Sequence, residues 1–161
     1  MNQLEAAIQL RESGNFEAAR SLLLELLVQQ PLNPSVWYQC AWVHDVLGLE
    51  SEAVPYYKKS LELGLKEEER QGALLGLGST YRTLGMYDEA KLIFEEAIKE
   101  YPARREYQVF QAMVLYNQNA FSEAMSILLM QLAETSDDKG IQDYRKAIIF
   151  YSDKLDQIWK S

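Results

Sequence analysis

His44 is the one histidine of the sequence, and Asp45 beside it makes the pair a candidate general base. A single imidazole holds a metal only with carboxylates gathered round it, and no spacing in the chain gathers them. Cys40 is the only cysteine, which excludes an intramolecular disulfide and a multi-thiolate metal site. Gly72-Ala73-Leu74-Leu75-Gly76-Leu77-Gly78-Ser79-Thr80 is glycine-rich in the way of phosphate loops. It lacks the Lys of a P-loop and the final Gly of a dinucleotide fingerprint, and no strand pattern precedes it. Small residues four apart on a helix, packed against a neighbour, fit that segment better. Glu67-Glu68-Glu69 and Asp137-Asp138 lack calcium-loop spacing and read as solvated helix starts. With no triad, metal cluster or phosphate cradle, the chain is expected to be no enzyme and to bind no cofactor and no metal.

The elements that carry these residues are helices. Among 161 residues there are only 8 Gly and 4 Pro, so breakers are few. Leucine occurs 23 times against 7 Val and 3 Thr, so strand formers are scarce. An apolar share of 48% is enough for a real core. The expected class is all-α, in one domain over 1–161. A net charge of −8, with no basic stripe, repels phosphate backbones and argues against nucleic acid. The most apolar stretch, Leu22 to Val28, is interrupted by Glu25 and too short to span a membrane. Met1-Asn2-Gln3-Leu4-Glu5 is no secretory signal, and a reducing cytoplasm is the expected location.

Four segments are copies of one another: Gly14-Asn15-Phe16-Glu17-Ala18-Ala19, Gly48-Leu49-Glu50-Ser51-Glu52-Ala53, Gly85-Met86-Tyr87-Asp88-Glu89-Ala90 and Asn119-Ala120-Phe121-Ser122-Glu123-Ala124. Their final alanines lie 34, 37 and 34 residues apart. Four residues past each alanine stands a bulky apolar side chain, Leu23, Tyr57, Phe94 or Leu128. Pro31 and Pro102 close two units at the same offset. Each unit reads as two helices joined at a Gly or Asn that can take positive φ. The extra residues before the third unit, around Gly64 to Arg70, read as a longer loop or an extra helical turn.

This pattern resembles the tetratricopeptide repeat, W-x₂-L-G-x₂-Y then A-x₃-F then P. The third unit fills it best, with Leu74, Leu77, Gly78, Tyr81, Ala90, Phe94 and Pro102. The second offers Trp37, Cys40, Ala41, His44, Ala53 and Tyr57, so His44 and Cys40 occupy packing slots. The expected units are about 1–33, 34–70, 71–104 and 105–138, forming an α-α superhelix. Residues 139–161 are expected to form one capping helix, with Ile141, Tyr144, Ile148, Tyr151, Leu155 and Ile158 as its apolar stripe. The whole chain also resembles a small stand-alone bacterial family of such repeats, a likeness that implies no activity.

The resemblance further implies that the first helix of each unit lines a concave groove. Groove positions fall one residue after the packing slots, about 100° round the helix. They are Leu4, Ile8 and Arg11; Tyr38, Trp42 and Asp45; Leu75, Ser79 and Arg82; Val109, Met113 and Tyr116. That set is apolar and aromatic with arginines along one edge, a composition found at interfaces. The expected function is therefore a module that binds a protein or peptide partner in this groove, an apolar or aromatic segment with acidic residues near Arg11 and Arg82. The alternative is an architectural subunit acting through self-association or assembly with another chain. Relatives that grip chaperone C-termini use Lys and Asn where Leu4, Ile8, Tyr38 and Trp42 stand here, so that role is not expected.

Overall fold

A computed structural model describes residues 2–160. Helices and no strand occur among them: α1 (Gln3–Glu12), α2 (Phe16–Gln29), α3 (Pro34–Val46), α4 (Glu50–Glu62), α5 (Glu67–Thr83), α6 (Tyr87–Glu100), α7 (Glu106–Asn117), α8 (Phe121–Thr135), α9 (Lys139–Asp143) and α10 (Arg145–Tyr151). Contacts divide the chain into two compact units, Met1–Ile93 and Phe94–Ser161, with α6 running across the division.

Local chemistry sets the helix limits. Asn2 caps α1 through a reciprocal box: its Oδ1 accepts from the Glu5 amide at 2.8 Å, while Glu5 Oε2 accepts from the Asn2 amide at 3.0 Å. Asn33 accepts from the Ser35 amide at 3.1 Å, and Pro34 sits where its missing N–H is not needed. The four turns within pairs share one closure. Asn15, Leu49, Met86 and Ala120 each donate their amide to the carbonyl five residues back, at 2.8–2.9 Å. The residue before each of them lies at positive φ: 82° at Gly14, 73° at Gly48, 75° at Gly85 and 60° at Asn119. The amide of that residue donates in turn to the carbonyl three back at 3.0–3.1 Å, and this pair of hydrogen bonds requires a left-handed residue, which explains why Gly or Asn recurs at that point of the repeat. The three residues added before the third unit lengthen the start of α5, which has 17 residues against 13 in α3 and 12 in α7.

In the first unit α1 packs on α2, α2 on α3, α3 on α4, and α4 on α5, with α3 also touching α1 and α5. Ala7, Ala19, Leu23, Leu26, Val36, Cys40 and Val43 form one buried cluster at the α1–α3 contact. Burying a leucine such as Leu23 or Leu26 stabilises by about 1.5–3 kcal/mol. In the second unit α7 packs on α8 through Ala112, Leu115 and Ala124, and α10 lies against α8.

The chain end departs from expectation. In place of one helix over 139–161 there are two short ones, broken at Tyr144 and ended at Tyr151. The Ser152 hydroxyl donates to the Ile149 carbonyl at 2.8 Å and the Lys154 ammonium to the Phe150 carbonyl at 2.9 Å. Side chains thereby satisfy the last carbonyls of α10, and the helix stops. Of the expected stripe, Ile141 and Ile148 are half-buried, while Tyr144, Tyr151, Leu155 and Ile158 are exposed.

The turn closure makes a prediction. A Cβ at Gly85 would meet nothing within 4 Å, so its substitution reports backbone conformation alone. Gly85→Ala is expected to destabilise by about 1 kcal/mol and Gly85→Asn by less. Asn119→Gly should be neutral or mildly stabilising. Urea midpoints at constant m-value check all three.

Candidate functional site

Among the residues singled out in the sequence, Arg11, Tyr38 and Trp42 come together. Tyr38 and Trp42 are one turn apart on α3, and their ring centroids are 5.7 Å apart. The Arg11 guanidinium of α1 lies over the Trp42 ring, 3.6 Å from its centroid. Arg11 Nε donates to Gln39 Oε1 at 3.1 Å, and a terminal nitrogen is 3.6 Å from Glu12. The guanidinium is thus buried, stacked and hydrogen-bonded, while the Trp42 ring is 38% exposed.

Tyr38 faces inward. Its ring lies 6.4 Å from that of Tyr57 on α4, and its hydroxyl occupies the space left by the missing side chain of Gly72 on α5. Burial pushes the Tyr38 hydroxyl up to about 12, the Glu69 charge adding to the effect and Arg11 opposing it. Tyr57 repeats the arrangement one turn along: a Cβ on Gly76 would come within 2.5 Å of its ring and hydroxyl. The glycine run is therefore a packing surface for two tyrosines, as its spacing on a helix suggests.

Asp45 joins three helices. Its Oδ2 accepts from the Tyr57 hydroxyl of α4 at 3.0 Å and lies 2.9 Å from the Thr80 hydroxyl of α5. Burial raises the Asp45 pKa against the pull of those two hydrogen bonds. Burial likewise raises that of Tyr57, helped by the Asp45 charge.

The remaining positions are distributed. Leu4 and Ile8 on α1 are half-buried, and Leu4 packs on the core cluster. Leu75, Ser79 and Arg82 on α5 are half-buried, and Arg82 forms no ion pair among the described residues. In the second unit Val109 is half-buried and Met113 and Tyr116 are exposed, with Tyr116 edge-on to Phe121 at 5.2 Å. One expectation changes here. Arg11 is engaged inside the fold, so Arg82 is the guanidinium left on that edge. Asp45 is held by Tyr57 and Thr80.

Three polar partners lie outside the predicted groove set, Gln39, Tyr57 and Thr80, and of these the sequence marks Tyr57 only as a packing slot. Asp45 and Thr80 are 35 residues apart, two short of the 37-residue step between their units, so the repeat period is the available signal. The reactive-looking groups are closed in. His44 is buried, with Nδ1 2.7 Å from the Cys40 carbonyl and Nε2 3.3 Å from Arg20 Nε. Nδ1–H donating to the carbonyl and Nε2 accepting from Arg20 gives each ring nitrogen a partner, with Glu52 Oε2 3.8 Å from Nε2. Burial pushes the Cys40 thiol up to about 12, far from a nucleophilic thiolate. Among the described residues no three His, Cys, Asp or Glu side chains are grouped to hold a metal, and no helix is long and apolar enough to cross a membrane.

The family model for the tetratricopeptide repeat matches residues 34–155. No curated protein matches the sequence. Among solved structures, YrrB, a TPR protein with an unusual peptide-binding site, superposes with a TM-score of 0.73 at 19% identity, covering 96% of this chain and 77% of that one. A kinesin light chain-like repeat protein of Podosopora anserina gives 0.70 at 18% identity over 96% and 86%. MamA from Desulfovibrio magneticus RS-1 gives 0.70 at 15% identity over 100% and 99%. Identities this low carry the fold alone: all-α, of the α-α superhelix class.

Two predictions follow from the packing around Asp45 and Tyr38. An interior helical Gly→Ala change ordinarily stabilises by about 0.5–1 kcal/mol. Gly72→Ala should instead destabilise by about 1–3 kcal/mol, and adding Tyr38→Phe should recover most of that loss, because the colliding atom is the hydroxyl. Asp45 has a folded-state pKa above its unfolded one, so its contribution to stability is full below the unfolded pKa and lost as pH rises through the folded one. Asp45→Asn should therefore flatten the decline in stability just above the ordinary carboxylate range, measured by denaturant unfolding across mildly acidic pH.

Proposed function

Because the chain belongs to the tetratricopeptide repeat family, we propose that it is a non-enzymatic interaction module receiving a partner peptide or helix on the α1, α3 and α5 face around Trp42. Membership of the family makes it a protein-interaction or scaffold module; the face and the chemistry of its partner are the finer reading. The observation that carries this reading is the Trp42 ring, exposed on one side and braced on the other by a guanidinium that Gln39 already holds. An aromatic platform with no rotamer left to freeze loses little entropy when a ligand packs on it. Leu4, Ile8 and Leu75 supply apolar surface on the same three helices, and Arg82 supplies an unpaired guanidinium for a carboxylate.

The partner segment is accordingly apolar or aromatic, with an acidic residue placed to reach Arg82. A peptide is also the kind of ligand named for YrrB, whose fold this chain shares. The closed-in state of His44 and Cys40 supports a role without catalysis. The net charge of −8 supports a protein partner over nucleic acid. One buried thiol and no disulfide suit a reducing cytoplasm.

Peptide selection followed by calorimetric titration at low and high salt tests the assignment. Binders should be apolar with at least one acid and have micromolar affinity, near −8 kcal/mol. Trp42→Ala should weaken them about tenfold or more. Arg82→Gln should weaken only the acidic binders and remove their salt dependence. Basic or wholly polar binders, or binding that survives both substitutions, would place the ligand elsewhere.

A further inference from the structure

Phe121, Met125, Leu128 and Leu132 recur at steps of four, three and four along α8, which aligns them as one stripe on that helix. All four are exposed. The repeat register shows what is unusual about them. Leu128 fills the slot of Leu23, Tyr57 and Phe94, which are 1%, 2% and 0% exposed, yet Leu128 is 39% exposed. In each earlier unit the first helix of the following pair supplies cover. Leu23 is in the cluster with Val36 and Cys40 of α3, Tyr57 lies on Gly76 of α5, and Phe94 lies 6.0 Å from Phe110 of α7.

After α8 the cover is partial. α10 has seven residues, about 10 Å of helix, against about 22 Å for the fifteen of α8. The strap that follows it lies along a different side of α8. Ser122 donates to Asp156 Oδ2 at 2.6 Å, and Ser122 and Ser126 border the cleft against residues 152–157. Those serines stand about 100° round from Phe121 and Met125. Phe150 and Tyr151 at the end of α10 and Trp159 of the strap pack on one another at 5.1–6.5 Å and are all exposed.

From this we infer that the α8 stripe is a dimer interface, occupied by the same stripe of a second copy across a two-fold axis. Charge permits it. α8 carries two charged residues, Glu123 and Glu134, both on the side away from the stripe, and Glu134 is neutralised by Arg105 at 2.6 Å. Two such faces meet without juxtaposed charge, even in a chain of net charge −8. Head-to-tail stacking has no matching partner, since the open side of α1 presents Glu5, Gln9 and Glu12. A self-complementary pair closes, whereas head-to-tail contact would propagate. The stripe with Tyr116 leaves on the order of 450 Å² of side chain open, beyond a scattered surface apolar, so two copies would bury about 900 Å² in total, the range of a weak interface that forms at micromolar concentration.

Sedimentation velocity on the full chain from low to high micromolar concentration tests the inference. The wild type should pass from monomer to dimer and stop there. Met125→Glu, at a position already half open to solvent, should keep its helical circular dichroism and weaken dimerisation on the order of a hundredfold. Trp42→Ala should dimerise as the wild type does, which separates this interface from the proposed peptide face. A single Leu128→Cys should form a disulfide-linked dimer on mild oxidation, because the native Cys40 is buried and held protonated. The inference fails if the chain stays monomeric throughout, if mass climbs past the dimer, if Met125→Glu leaves association unchanged, or if Trp42→Ala abolishes it.

Discussion

A helix pair has two apolar faces and closes only one of them internally, so each pair relies on the next for the other. The contact that achieves this is a bulky side chain set into the gap left by a residue with little or none. Tyr57 over Gly76 and the Tyr38 hydroxyl over Gly72 are its clearest cases, and they bring α5 onto α3 and α4. Hydrogen bonds then tie what packing has brought close. The Asp45 carboxylate meets Tyr57 and Thr80, and the Ser35 hydroxyl meets Glu69 at 2.5 Å. A polar group buried by such stacking must find a partner in the adjoining helices, because water cannot reach it.

The same requirement explains why the reactive-looking residues are closed in. Stacking buries α3 on both sides, and α3 carries Cys40, His44 and Asp45. Each answers burial in its own way. The thiol stays protonated, the imidazole is bonded at both nitrogens, and the carboxylate accepts two hydroxyls yet is still harder to ionise than in water. On the proposed peptide face, what α3 leaves open is one side of Trp42. That side is rigid because Arg11 is fixed beneath it by Gln39, so the site owes its order to the core on which it rests.

The second unit shows the constraint from the other side. Where no further pair follows α8, a short helix and an irregular strap give only part of the burial that a full first helix gives elsewhere. The difference is read at one slot, closed at Leu23, Tyr57 and Phe94 and open at Leu128. Exposed leucine by itself is ordinary. Exposed leucine in a slot that three copies bury, on a helix with four exposed apolar residues in line, is what supports the proposed interface.

Much of this was legible in the amino-acid order. Spacings of 34, 37 and 34 carried the helix pairs, the Gly or Asn turns carried their closure, and the glycine run carried its packing role. Local rules suffice for these, since turn geometry and helical periodicity depend on residues a few positions apart. The candidate face was legible only as a register: Arg11, Tyr38 and Trp42 were named together, but not that Arg11 would be buried under Trp42 or that Tyr38 would face inward. The terminal stripe satisfies helical periodicity throughout, while Ser152 and Lys154 end α10 by bonding carbonyls that periodicity does not register. Sequence alone determined which residues share a helix face. Tertiary structure decided which of those faces meet, because burial and the partners of a long side chain depend on helices brought together from distant parts of the chain.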